Sequence, residues 1–318
     1  MNIINPKNIK NLLSTDECIL GVSGGLDSMC LLDWFYKNPD HVPNKWRVIH
    51  VNHNISTESS KWADFVKAQC DLRNIQCDVI SVDTLGSKIS KNLEYAARHA
   101  RYEAFSAQPE KYIVLAHHQN DQVETFFLKL FRGSGIKGLR GMVEKCQGWM
   151  NGEQLIVRPM LGISRAQLEH YAEQNNIQYV QDPSNSDTSY DRNWIRHLLW
   201  PVIEQRYGIA DVNIQRCMRF IGENWELSQD LAKIDFDACN LTDNIISWPI
   251  LKELSALRIK NVLIYVMDHY NVTSYSTHQV ELWASSIKSA DVNSNIELRV
   301  KGLSINKRGN KLFLSEAN

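Results

Sequence analysis

The sequence predicts an α/β chain: a mostly parallel sheet with helices on both faces, followed by a smaller α+β domain. Three observations carry this. Short apolar runs alternate with segments of helical period from residue 17 to residue 175, the pattern that successive strand–helix–strand units leave in a sequence. The first apolar run passes directly into Ser23-Gly24-Gly25-Leu26-Asp27-Ser28 and then into a helical stretch. Beyond Tyr207-Gly208 the alternation stops, and long helical segments give way to paired short strands. The boundary is therefore set there, giving domains 1–208 and 209–318, both of ordinary size.

In order, residues 17–23 read as a buried strand ending in a glycine turn, and 28–37 as a helix. Residues 46–51 are a second strand, 58–73 an amphipathic helix and 77–82 a third strand. Residues 90–107 form a helix capped by Ser90, 112–116 a fourth strand, 122–131 a helix and 155–157 a fifth strand. Residues 164–175 are helical, with Ser164 and Gln167 as a capping box. Asp182-Pro183-Ser184-Asn185 is a turn, and residues 193–206 are helical with a kink expected at Pro201. Residues 211–236, 250–269 and 277–288 read as helices, and 296–315 as short strands turning at Lys307-Arg308-Gly309-Asn310.

Composition excludes several classes. With 43% hydrophobic and 22% charged residues the chain buries an ordinary core. No apolar run is long enough for a membrane span, and the N-terminus has no signal-peptide core. A cytoplasmic protein with no membrane partner is expected. The seven cysteines (Cys18, Cys30, Cys70, Cys77, Cys146, Cys217 and Cys239) are odd in number and never spaced CxxC, which argues against disulfide, zinc and iron–sulfur scaffolds. Net charge is −1, so a nucleic-acid partner has to be met by local basic segments.

The glycine loop carries the first chemistry. Its glycines let the backbone approach a ligand, and the helix that follows presents unpaired N–H groups at its positive end. Ser23 and Ser28 add hydroxyls, so Ser23, Gly24, Gly25, Leu26, Asp27 and Ser28 form an anion cradle. A bare Gly-Gly pair would be an ordinary turn; its place after the first strand, the flanking serines and Asp27 make it more. It is neither a Walker loop nor a GxGxxG fingerprint. It resembles the PP-loop of the N-type ATP pyrophosphatases, which cleave ATP to AMP and pyrophosphate.

Further polar clusters close other strands, where open parallel sheets bind ligands. His50-Val51-Asn52-His53 follows the second strand, and His117-His118-Gln119-Asn120-Asp121-Gln122-Val123-Glu124 follows the fourth. Asp121 and Glu124 are carboxylates suited to Mg²⁺ beside phosphate. Arg98 and Arg101 lie on the helix before the fourth strand, where a guanidinium can stabilise charge during transfer.

In sequence, SGGLDS, HVNH, NLEYAARHARYEAF, AHHQNDQVETFFLKLFRGSGIKGLRGM, RPMLGISR and DPSNSDTSYDRNWIRH resemble the bacterial tRNA(Ile)-lysidine synthetase family, densely over residues 17–200. The resemblance implies a Rossmann-like, adenine nucleotide alpha hydrolase-like fold and ATP with Mg²⁺ as cofactors. It also implies free L-lysine and a CAU-anticodon isoleucine tRNA as partners, with a homodimer allowed for. ATP would adenylate the C2 oxygen of the wobble cytidine, and the lysine ε-amine would displace AMP. By resemblance, SGGLDS holds the phosphates and His50, Asn52 and His53 lie near the adenosine. Asp27, Arg98, Arg101, His118, Asp121 and Glu124 are the catalytic candidates, with Asp27 and Asp121 as Mg²⁺ ligands. Two departures stand out. Asn54-Ile55-Ser56 replaces the family's usual Gly-Leu-Arg, and Asn120 replaces a second Asp. Readings that share the loop are a tRNA cytidine thiolase, which needs working cysteines, and a small-molecule amide synthetase.

Three basic clusters are candidates for tRNA contact. Lys129, Arg132, Lys137 and Arg140 run through a glycine-punctuated segment. Arg192, Arg196 and His197 form the second, with Asn193 between them as a further tRNA candidate and Trp194 expected in the core. Arg299, Lys301, Lys307 and Arg308, with Lys311, form the third on the terminal strands. Basic side chains supply phosphate contacts, and aromatics can stack unpaired bases.

Overall fold

A computed structural model of the chain describes residues 3–13, 17–54, 57–82, 93–148, 154–242, 244–272 and 275–317. The elements of the first part are α1 (Pro6–Leu12), β1 (Glu17–Gly21), α2 (Leu26–Lys37), β2 (Lys45–Asn52), α3 (Ser59–Asp71), β3 (Cys77–Ser81), α4 (Leu93–Ser106), β4 (Tyr112–Leu115) and α5 (Gln119–Phe131). Then come α6 (Ile136–Leu139), β5 (Lys145–Gln147), β6 (Leu155–Val157), α7 (Arg165–Gln174), α8 (Asp191–Trp194), a π-helical turn (Ile195–Leu199) and α9 (Trp200–Tyr207). The remainder is α10 (Ala210–Cys239), β7 (Asn240–Thr242), β8 (Ile245–Ser247), α11 (Trp248–Glu253), α12 (Ala256–His269), α13 (Thr277–Ser289), β9 (Glu297–Val300), β10 (Leu303–Arg308) and β11 (Lys311–Ser315). The expected cap at Ser90 lies outside the described residues.

The chain divides into two compact units: Met1–Arg132 with Gly141–Arg216, and Gly133–Arg140 with Cys217–Asn318. The division falls within α10, beyond Gly208, which ends α9 with φ 51. No helix of the described residues is long and apolar enough to cross a membrane.

The first unit is built on a six-stranded sheet of order β3-β2-β1-β4-β6-β5. All neighbours pair in parallel except β5, which runs antiparallel to β6. Successive side chains leave a strand on opposite faces. Thus Cys18 and Leu20 of β1 join one core with Val48, Tyr112, Val114 and Val157, while Ile19 joins the other with Ile49, Ile113, Leu115 and Ile156. Both faces are covered, so these strands read as unbroken apolar runs rather than alternations. Met29, Leu31, Trp34 and Phe35 of α2 and Leu168, Tyr171 and Ala172 of α7 pack on the first face. Tyr102 and Phe105 of α4 pack on the second. The Tyr171 hydroxyl donates to buried Asp33 at 2.9 Å, fixing α7 against α2.

The π-helical turn absorbs the segment expected to kink. Pro201 then falls in the first turn of α9, where its missing N–H costs nothing. Residues 250–269 were expected as one helix and are two. Ser255 is extended and its hydroxyl accepts the Arg258 N–H at 3.3 Å, starting α12 afresh. In the second unit an antiparallel sheet of order β7-β8-β11-β10-β9 packs its inner side chains, among them Ile246, Leu298, Ile305 and Leu312, with α11 to α13. Strands β5, β7 and β8 are absent from the sequence reading.

Where β1 ends, the helix above it leaves no room. A Cβ on Gly21 would stand 2.7 Å from Leu115 Cδ2 and 2.8 Å from Phe105 Cζ. Gly21→Ala should therefore lower the unfolding free energy by about 1–3 kcal/mol through overpacking. Gly162→Ala, which meets nothing within 4 Å, should stay within about 0.5 kcal/mol. Urea unfolding of the two variants against the parent measures the difference.

Candidate active site

The phosphate loop sits where β1 meets α2. Gly24 has φ 91, a conformation that costs glycine nothing, and a Cβ there would press on Val66 and Val180 at 3.1 Å. Gly25 is the N-cap of α2 and no side chain caps that end, so the first N–H groups of the helix remain available to a ligand. Ser28 is buried and organises the turn. Its Oγ accepts the N–H groups of Ser23 and Gly24, both at 3.2 Å, and donates to the Gly25 carbonyl at 3.0 Å. The Gly24 carbonyl accepts the Val180 N–H at 2.9 Å, bringing residues 179–182 alongside the loop.

Beside the loop lies the start of α5. A parallel bridge to Met160 extends the β4–β6 pairing to His118, which is buried. His118 caps α5: its Nδ1 accepts the Asn120 N–H at 3.2 Å while Asp121 Oδ2 accepts the His118 N–H at 2.9 Å. In the neutral ring this arrangement assigns the hydrogen to Nε2. That nitrogen stands 3.6 Å from both Asp27 Oδ2 and Asp121 Oδ2. Burial works against a charged His118, but Asp27, Asp121 and Glu124 outweigh it and raise its pKa. Burial likewise opposes the Asp121 carboxylate, yet His118, His117 and Arg192 hold its pKa below the usual carboxylate value. Arg165 completes the group from the start of α7, its guanidinium donating to Asp27 Oδ1 at 2.9 Å. The Asn120 side-chain oxygen accepts the Arg165 backbone N–H at 3.1 Å. Thus the residue that replaces an expected acid ties α5 to α7.

One turn along α5, Glu124 is buried, with Arg196 Nε at 2.6 Å and Arg192 Nε at 3.1 Å. Burial raises the Glu124 pKa, and Arg196 and Arg192 pull against it. Arg196 also reaches Asp121 at 4.0 Å. Arg192 and Arg196, expected at a tRNA surface, are thus drawn into the site by acids that the sequence could not pair with them. Asn193, assigned to the same surface, is buried; its amide donates to the Ser184 and Asp187 carbonyls at 2.9 Å and holds that turn in place. Trp194, expected in the core, is 42% exposed.

One cavity of about 540 Å³ is lined by Ser23, Gly25, Asp27 and His118 on the loop side and by Glu124, Arg165, Arg196 and Asp182 among the rest, while Asp121 and Arg192 are not in its lining. No cysteine lines it among the described residues. Sequence reasoning missed Arg165 and residues 179–186; the signal present was RPMLGISR for the first and the Asp182-Pro183 turn for the second. His50, Asn52 and His53 stand at the end of β2 and do not line the cavity. His50 Nδ1 donates to the Val22 carbonyl at 2.9 Å, and Asn52 accepts the N–H of Asn54, which has φ 52 as a glycine-like position requires. Arg98 and Arg101 also stay out of the cavity lining. Arg98 lies over the Tyr102 ring at 5.2 Å, and Arg101 is exposed.

The other basic candidates separate. Lys129 and Arg132 are exposed, Arg132 pairing with Asp191 at 3.2 Å. Lys137 pairs with Asp268, and both Lys137 and Arg140 lie 5.7 Å from the Trp225 ring centre. Arg299 pairs with Glu297 at 2.8 Å. Lys301 is exposed in the turn before β10 and Arg308 is exposed at the far end of that strand, so the third cluster is not one patch. Lys307 is no phosphate contact: it is 2% exposed, donates to the Val292 and Ser294 carbonyls at 2.9 and 3.0 Å, and sits over Trp248.

Two histidines behind the site resist protonation. Burial and the arginines Arg158, Arg98 and Arg192 push His117 down to about 3 against the pull of Asp121, and its Nδ1 is buried without a hydrogen-bond partner. Burial, Arg101 and His50 push His53 down to about 4. Unfolded, both titrate near ~6.5. Their neutral forms therefore give full stability above that pH, which is lost as pH falls through it toward the folded values. His118 has the opposite sign: its contribution is full below ~6.5 and is lost as pH rises through its raised pKa. The urea midpoint should accordingly fall between pH about 6.5 and about 4, and less steeply in His117→Gln than in the parent.

Comparison with known proteins agrees with this geometry. The PP-loop domain family profile matches residues 2–203. Over 259 residues the chain is 35% identical to a protein of Hydrogenovibrio crunogenus named tRNA(Ile)-lysidine synthase, covering 80% of this chain and 60% of that one. A tRNA(Ile)-lysidine synthase of Nitrosomonas europaea is 35% identical over 252 residues, covering 79% and 55%. The chain thus spans somewhat more than half the length of these curated relatives. The U34-tRNA thiolase NcsA of Methanococcus maripaludis, solved with its [4Fe-4S] cluster, shares the fold with a TM-score of 0.54 at 15% identity, covering 68% of this chain and 78% of that one. With the profile spanning nearly all of the first unit and the glycine loop set between its central strand and α2, the chain belongs to the PP-loop domain family.

Proposed function

We propose that the first unit ligates free L-lysine to C2 of the wobble cytidine of a CAU-anticodon isoleucine tRNA, consuming ATP and releasing pyrophosphate and AMP. The observation that carries this is the single cavity in which the phosphate loop, Asp27, His118 and the Glu124–Arg196 pair converge. The similarity to proteins named tRNA(Ile)-lysidine synthase supplies the substrates.

The chemistry follows from the residues. The cytidine C2 carbonyl is a poor electrophile, so its oxygen is first adenylated by attack on the α-phosphorus of ATP. The uncapped N–H groups after Gly25 receive the pyrophosphate as it leaves. Mg²⁺, when bound, neutralises phosphate charge. Asp27 and Asp121 suit it, since Mg²⁺ takes one or two carboxylates and completes its shell with phosphate and water. Glu124 is engaged by two guanidinium groups and is not a third ligand. The lysine ε-amine, with an ordinary pKa near ~10.4, must lose a proton before attacking C2 and expelling AMP. Asp121 attracts the ammonium, and His118 stands beside it to pass the proton on. Arg196 lines the cavity, and its guanidinium, held on one side by Glu124, can turn its remaining N–H donors to a carboxylate or phosphate. Exposed Lys129, Lys301 and Arg308 supply phosphate contacts for the tRNA, with Arg132 and Arg299 available once they release Asp191 and Glu297, and the work is done in the cytoplasm. Thiolation of the base fits less well, because no cysteine lines the cavity among the described residues.

Protein mixed with ATP, Mg²⁺, radiolabelled lysine and the CAU tRNA should place ATP-dependent label in the tRNA, and none when uridine replaces the wobble cytidine. Asp121→Asn should lower the rate by about 10²-fold or more, and raising salt from about 50 to 200 mM should weaken tRNA binding steeply. AMP release driven by another acceptor, with no label in tRNA, would overturn the assignment.

A further inference from the structure

Three carboxylates line the cavity among the described residues: Asp27, Glu124 and Asp182. Cations answer two of them. Arg165 holds Asp27, and Arg192 and Arg196 hold Glu124. Asp182 stands apart. Its Oδ1 accepts the Ser184 N–H at 2.8 Å, and among the described residues neither an ion pair nor a hydrogen bond reaches its other oxygen. The carboxylate is nevertheless held in place. It caps the 3₁₀ turn Pro183–Ser186, which Asn193 fastens through the Ser184 and Asp187 carbonyls at 2.9 Å. Just upstream, the Val180 N–H donates to the Gly24 carbonyl at 2.9 Å. An unanswered acid beside a phosphate loop repels ATP and RNA, so it costs affinity unless a donor on the ligand meets it.

Tyr179 indicates which donor. It precedes Asp182 by one short turn of chain and lines the same cavity, 37% exposed, with no ring or cation packed on it among the described residues. An aromatic surface beside a fixed acceptor suits a flat heterocycle that carries an amine. A metal ion or the chain of a lysine needs no flat surface. Unpaired RNA bases are held in this way, stacked on aromatic rings and hydrogen-bonded along their Watson–Crick edges. Cytosine offers an N4 amine that a carboxylate accepts, whereas uracil offers O4, a second acceptor. We propose that Asp182 reads the wobble base, its second oxygen accepting the cytosine N4 amine while the base lies on Tyr179. This rests on the lysine-ligating reading above and adds to it the group that separates cytidine from uridine. N4 and the C2 oxygen stand at the two ends of the Watson–Crick edge, so an acceptor on N4 leaves the oxygen open to adenylation.

Binding of anticodon stem-loops to the whole chain at low salt, without ATP or lysine, tests this. One loop carries cytidine at the wobble position; the other carries pyrimidin-2-one, which is cytosine without its N4 amine. The parent should hold the cytidine loop about tenfold tighter. Asp182→Asn keeps the cap, because the amide oxygen still accepts the Ser184 N–H, but it turns an amide N–H₂ toward the base. The preference should then fall below about twofold. Tyr179→Ala should weaken both loops alike, by about tenfold, and Tyr179→Phe neither. Equal binding of the two loops by the parent overturns the proposal, as does a preference that Asp182→Asn retains or unchanged binding in Tyr179→Ala. So does an Asp182→Asn protein whose loop binding is unchanged while its KM for lysine rises, since the carboxylate then serves the lysine ammonium. A parent that binds neither loop overturns the proposed function as well, whereas equal binding leaves that function standing.

Discussion

A carboxylate cannot stay ionised out of water unless cations answer it, and Glu124 is where this constraint acts. The two answering guanidinium groups, Arg192 and Arg196, come from a segment about seventy residues further along the chain. Once they are engaged, residues 191–200 must lie against α5. That placement draws in the turn around residues 182–187, which Asn193 fastens with two hydrogen bonds. Much of one wall of the cavity therefore rests on a single buried acid. The opposite wall depends on the loop itself, where Ser28 spends its hydroxyl on the turn and leaves the helix end free.

The sheet makes these two walls meet. β1 is flanked by β2 and β4 in parallel, so the loop after β1 and the polar segment after β4 emerge at the same edge. This is the edge where parallel sheets of this kind bind ligands. His118 belongs to both the sheet and the site, bridging to Met160 as β4 ends and capping α5 as it begins. A histidine in that position is oriented by backbone hydrogen bonds and has one nitrogen left to work with. Its neighbours Asp27 and Asp121 both compete for that nitrogen.

Much of this was legible in the sequence, for reasons that differ from residue to residue. The central strands were readable because burial on both faces makes them unbroken apolar runs, and the Ser164–Gln167 capping box because it is a local hydrogen-bond pair. The left-handed turn at Asn54 could be foreseen from its side chain. β5, β7 and β8 have three residues each, too few for a period of two to show. The break before α12 rests on one serine hydroxyl inside an otherwise continuous helical pattern. What the sequence could not supply was the partner of each charge, because partners are set by contacts between distant segments.

That limit bears hardest on the basic residues. In the sequence they form three runs of similar appearance; in the fold they divide by what surrounds them. Arg192 and Arg196 face acids, and Lys307 has traded water for two carbonyls and an aromatic ring. A guanidinium is more weakly hydrated and meets a carboxylate with a fixed fork, so arginine suits the buried positions. Lysine enters the interior where acceptors meet its ammonium hydrogens, as two carbonyls and the Trp248 ring do at Lys307. Each inward cation at the site is matched by an acid, which is how a chain of net charge −1 can line a cavity with guanidinium groups. A count of charges along a sequence therefore overstates the surface left for a polyanion. The informative quantity is the subset with no acid in reach, and folding decides its membership.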